Sequence, residues 1–125
     1  MKNLNKKLAL ITFLVIICFG SVVFAASSST QIYTWQTSAD GPEIVMSGNL
    51  AVTGSNASTS KRALWIEVYK IVTLWPDSCI SSNSASIGGN TTATLNSQPN
   101  GMYYIHLDPD GSDNTGCSGS GSVSN

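Results

Sequence analysis

Beyond residue 30, apolar and polar side chains alternate in short runs separated by turn-forming residues, the period-two signature of half-buried strands. Residues 31–37 alternate, with Ile32 on one side and Tyr33 and Trp35 on the other. Ala39-Asp40-Gly41-Pro42 reads as a turn. Residues 43–53 place Ile44, Met46, Leu50 and Val52 on one face and Ser47, Asn49 and Thr53 on the other. Gly48 interrupts the apolar face and marks a bulge. After a polar loop over 54–60, residues 63–74 form the strongest strand pattern in the chain. Leu64, Ile66, Val68, Val72 and Leu74 share one face, and Trp65, Glu67, Tyr69, Ile71 and Thr73 share the other. Trp75-Pro76-Asp77 ends this run, because Pro has no N–H to give a ladder.

The second half is more polar. Residues 81–90 read as a loop closing on Gly88-Gly89-Asn90, and residues 91–95 as a short strand. Pro99-Asn100-Gly101 reads as a turn. Residues 102–107 form a strand with Tyr103, Ile105 and Leu107 opposite Tyr104 and His106. Residues 119–124 are either a thin last strand or a frayed tail. No window carries a helical stripe, and the connections are too short for helical crossovers. The expected fold is therefore all-β, a small antiparallel β-sandwich of Ig-like or jelly-roll-like type, in one domain over residues 31–125.

The N-terminus has a different pattern. Lys2, Lys6 and Lys7 precede an apolar run from Leu8 to Phe19, and Val23-Phe24-Ala25 offers small residues before a cut at Ala26. That layout predicts a secretory signal peptide over 1–25 and a flexible leader over 26–30. Cys18 lies within the apolar run and leaves with it. After processing, Lys61, Arg62 and Lys70 face seven carboxylates, a net charge of −4. Charged residues are only 10% of the whole chain. A basic footprint for nucleic acid is missing, and nothing in the processed chain calls for a membrane.

Cys79 and Cys117 remain in the processed chain, and a cysteine pair in a small secreted domain predicts one disulfide. A cysteine–histidine zinc site is a poor reading, since the two cysteines are far apart and His106 is the only imidazole. The loop after residue 107 supplies Asp108, Asp110, Asp113 and Asn114, oxygen ligands for a weakly held calcium ion. Its plainer reading is an acidic turn shaped by Pro109 and Gly111. Asn56-Ala57-Ser58 and Asn90-Thr91-Thr92 match glycosylation acceptors.

Trp65 and Tyr69 lie on one strand face with Glu67 between them, a candidate binding face. Rings on a flat face suit stacking on a sugar or a protein partner, and the alternative is that they fill the core. No nucleophile elbow or carboxylate pair can be named, and His106 has no named partners for a triad. The expected function is a secreted, non-enzymatic binding or cell-surface module for an extracellular glycan or protein. The alternatives are a small secreted effector (a toxin, bacteriocin-like protein or inhibitor) and a self-assembling matrix protein.

Overall fold

A computed structural model describes residues 25–112 and 114–125. The charged and apolar regions of the expected signal peptide, Cys18 and Asp113 lie outside the described residues. Among the described residues seven strands form: β1 (Ser27–Ile32), β2 (Ala39–Asp40), β3 (Ile44–Asn56), β4 (Leu64–Lys70), β5 (Ser78–Ala85), β6 (Asn90–Pro109) and β7 (Gly119–Ser124). Every pairing is antiparallel. The hydrogen-bonded order is β1-β7-β3-β6-β4-β5, with β2 also pairing β6. The fold is thus all-β and antiparallel, and its strands share one continuous path.

The two long strands explain that continuity. β6 has 20 residues and changes partner along its length. Its first half lies against β3, from Asn90 opposite Ser55 to Gln98 opposite Gly48. Its second half lies against β4, from Tyr103 opposite Lys70 to Pro109 opposite Leu64. The expected bulge sits between these halves. Register slips on both sides of Gly48, whose φ is 84°, a conformation glycine adopts without a Cβ penalty. Across from it Ser97 has φ 52°, and its N–H donates to Asn49 Oδ1 at 2.9 Å.

The core forms where β1 and β7 pack against β4 and β6. Met46, Leu50 and Val52 of β3, Leu64, Ile66 and Val68 of β4, and Tyr103, Ile105 and Leu107 of β6 are all buried. Ile32 and Val123 join them from β1 and β7. Gly121 is one close approach: a Cβ there would stand 2.7 Å from Leu107 and 3.3 Å from Ile105. The glycines of β7 thus let it lie directly against β4 and β6 side chains.

Several expectations change for physical reasons. Residues 26–30 are not a leader, since β1 begins at Ser27. The Ser28 hydroxyl, fully buried, donates to Pro42 O at 2.6 Å and accepts from Ile105 N–H at 3.3 Å. Residues 81–90 are not simply a loop, because β5 occupies Ser78–Ala85 and pairs with β4 through its backbone. An edge strand needs only one buried side, and here Ala85 alone is fully buried. The turn expected at Pro99-Asn100-Gly101 lies inside β6, and the Tyr103 hydroxyl donates to Pro99 O. β4 stops at Lys70, and Leu74, 96% exposed with φ 64°, belongs to the loop that follows. Of the two glycosylation triplets, Asn56 is buried, its Nδ2 donating to Arg62 O at 2.8 Å and Ala85 O at 3.1 Å.

The expected disulfide is absent. Cys117 is buried, its thiol donating to Arg62 O at 3.3 Å, just before β4 begins. Cys79 is exposed and pairs with Tyr69 near the other end of β4. At about 3.3 Å per residue, those two points on the chain are roughly 20 Å apart. A disulfide requires Cα atoms within about 7 Å. Burial raises the pKa of the Cys117 thiol. For Cys79, burial and then the neighbouring Glu67 carboxylate do the same.

Two measurements check this architecture. Val68→Ala should destabilise the protein by about 1–3 kcal/mol in chemical unfolding, the cost of a buried large-to-small change. Val68→Asp should prevent folding, and a folded Val68→Asp protein would mean that β4 is out of register by one residue. A thiol reagent should label Cys79 in the native protein and Cys117 only after unfolding. Native protein with no reactive thiol would contradict the separation of the two cysteines.

Candidate functional site

The side of β4 that faces away from the core carries Trp65, Glu67 and Tyr69. Register fixes their neighbours. Asp108, His106 and Tyr104 of β6 stand opposite Trp65, Glu67 and Tyr69 in turn. Ser84, Ser82 and Cys79 of β5 stand opposite the same three residues on the other side. β2 adds Asp40 opposite His106. Four strands therefore build one surface of aromatic, acidic and hydroxyl side chains, because the alternation that buries Leu64, Ile66 and Val68 turns these residues outward.

The rings are packed rather than loose. Tyr69 and Tyr104 stack with centroids 5.6 Å apart and planes at 12°. His106 meets Tyr69 edge-on, 5.5 Å between centroids at 83°. The other imidazole side is held by Asp40, whose Oδ1 bonds Nδ1. The Tyr104 hydroxyl donates to Asp77 Oδ2 at 2.8 Å. Glu67 Oε2 accepts from the Tyr69 hydroxyl at 3.3 Å and from the Cys79 thiol at 3.5 Å. Burial, and after it the Glu67 charge, pushes the Tyr69 pKa up to about 12. Burial and the Asp77 hydrogen bond raise that of Tyr104. Both phenols are therefore neutral donors at neutral pH.

Trp65 is half-buried, and its cover comes from the acidic loop. Asp110 N–H bonds Ala63 O at 2.8 Å. That bond lays Gly111 on the indole, where an added Cβ would lie 3.2 Å from Trp65 Nε1. Beside the ring is a shallow depression of about 260 Å³, lined by Trp65, Glu67, Ser82, Asp110 and Gly111.

The oxygen ligands expected for calcium part company. Asp108 is 8% exposed and lies with Glu67 and His106 on the strand surface. Asp110 pairs instead with Arg62, 3.4 Å from its Nη1. Asn114 donates to Ser112 Oγ at 2.9 Å. Asp113 lies outside the described residues. Trp65 and Tyr69 do share a face, as expected, but Glu67, Tyr104, His106 and Asp108 complete it. Their alternate positions at 104, 106 and 108 were a readable signal, whereas the register against β4 was not. Two other aromatic groups lie away from this surface. Tyr33 and Trp35 stack at 5.0 Å in the turn after β1, with Trp35 74% exposed, and Trp75 is exposed in the loop after β4.

No family model matches the chain, and no curated protein matches it. Similar shapes occur among solved structures. The Yersinia pseudotuberculosis-derived mitogen matches at a TM-score of 0.48 and 12% identity, over 82% of this chain and 86% of that one. PirA matches at 0.49 and 7%, over 84% and 98%. PliG of Aeromonas hydrophila, a periplasmic inhibitor of g-type lysozyme, matches at 0.43 and 14%, over 82% and 90%. With every score below 0.5, these likenesses assign no function.

Proposed function

We propose that the protein is a secreted, non-enzymatic binding module that holds an extracellular glycan on the outer face of β4, β5 and β6. The observation that supports this reading is the Tyr69–Tyr104 ring stack, which shares its strand face with Trp65, Glu67 and Asp108 and is tied to Asp77. Aromatic faces stack on the apolar face of a sugar ring, and carboxylates accept from its hydroxyls. The rings are already positioned, so little side-chain entropy remains to be lost on binding. On the same reading the bent sheet is a jelly-roll-like sandwich, and a signal peptide over 1–25 directs export. Ala26, the residue after the proposed cut, is tied to Asn125: its N–H donates to Asn125 Oδ1 at 2.9 Å and its carbonyl accepts from Asn125 N–H at 3.1 Å.

A second reading, assembly through strand edges, has its own observation. The outermost strands β1 and β5 contain no charged residue, and charge is a common guard against edge pairing.

Screening the secreted protein against a polysaccharide panel should give a binder whose affinity falls at least about tenfold in Trp65→Ala and Tyr69→Ala, the scale of a lost stacking contact. Capture of a protein and no polysaccharide would overturn the glycan reading, and concentration-dependent fibres would favour edge assembly. Intact mass of secreted material should place the N-terminus at Ala26 or Ser27. A chain starting at Met1 would overturn the processing proposal.

A further inference from the structure

Glu67 stands opposite His106 across the β4–β6 ladder, and Asp108 follows two residues later on the same face. One donor atom from each lies within 4.8 Å of the others. The set combines one imidazole nitrogen with two carboxylates. Nitrogen and oxygen donors of this kind suit zinc and its neighbours among the divalent transition metals. Calcium is a poorer match, since it takes six to eight oxygens.

Three further features fit a metal. The bond from Asp40 occupies Nδ1 of His106 and leaves Nε2 as the nitrogen for an ion, the usual carboxylate–histidine–metal arrangement. The edge of Tyr69 limits rotation of the imidazole. Glu67 also lines the depression beside Trp65, so a remaining coordination position is open to water or to a ligand atom.

We propose that Glu67, His106 and Asp108 bind one divalent transition-metal ion, with zinc as the probe and Asp40 as the positioning residue for the imidazole. The three ligands come from two hydrogen-bonded strands, whose spacing is set by the backbone ladder rather than by a loop. The site does not depend on the glycan reading, and its assay contains no glycan.

The purified protein, without a histidine tag and stripped by a chelator, is titrated with zinc chloride in a calorimeter. One zinc should bind per chain, more tightly than calcium. Glu67→Gln and Asp108→Asn should each weaken binding by at least about tenfold, and Asp40→Asn by about tenfold, with recovery in Asp40→Glu. His106 is the only histidine in the sequence, so its ring signals in nuclear magnetic resonance report on the unaltered protein. Those signals should move as zinc is added and stop moving at one equivalent. Ring signals unmoved by excess zinc, or tighter binding of calcium, would each overturn the proposal. The ring measurement needs no variant, so a substitution that fails to fold cannot shield it.

Discussion

The alignment of β4 against the second half of β6 is the constraint on which the rest of the structure depends. Seven consecutive pairs, from Leu64 opposite Pro109 to Lys70 opposite Tyr103, fix two surfaces at once. On one, Leu64, Ile66 and Val68 meet Leu107 and Ile105 and close the core. On the other, Trp65, Glu67 and Tyr69 meet Asp108, His106 and Tyr104. Side-chain direction has a period of two, so no sliding motion can change one surface and spare the other. Burial of the aliphatic set therefore supplies the energy that holds the polar set in place. The outer face needs no stabilising chemistry of its own, which leaves it free to carry closely spaced carboxylates.

A second element makes that alignment possible. A strand of 20 residues cannot stay flat in a chain this small, and the paired irregularity at Gly48 and Ser97 lets β3 and β6 change direction together. β7 then returns across the interior, with Gly119 and Gly121 admitting Leu64 and Leu107 where larger residues would collide. Asn56 secures the end of β3 by donating to Arg62 O before β4 and to Ala85 O at the end of β5. One buried amide thereby ties three strand ends together, where unpaired carbonyls would otherwise be costly.

Much of this was legible in the sequence, and the illegible parts share a cause. Leu64, Ile66 and Val68, and likewise Tyr103, Ile105 and Leu107, show their buried face in their own alternation. Gly48 shows the bulge by interrupting an apolar face. β1 and β5 were hidden because Ser-rich segments carry no apolar pattern; their strand character comes from partners supplied by β7 and β4. The cysteines misled because an even count says nothing about position along β4. The outer face was half visible: Trp65 and Tyr69 stood out as aromatics, while the union of Glu67, His106 and Asp108 depends on two segments some forty residues apart. Asp108 was grouped by sequence with Asp110, yet strand geometry turns it toward His106 and leaves Asp110 to Arg62.

The position of β7 has a consequence for how the chain is made. β7 lies between β1 and β3, so the sheet has a gap there until residues 119–124 arrive. During synthesis the earlier segments can pair locally, but β1 has no neighbour on its β7 side until residues 119–124 are free. Pairing between opposite ends of a chain is slow, because the whole intervening loop must first be closed. The architecture thus delays its own completion. β1 and β3 gain their shared neighbour, and the sheet its continuity, only once residues 119–124 pair between them.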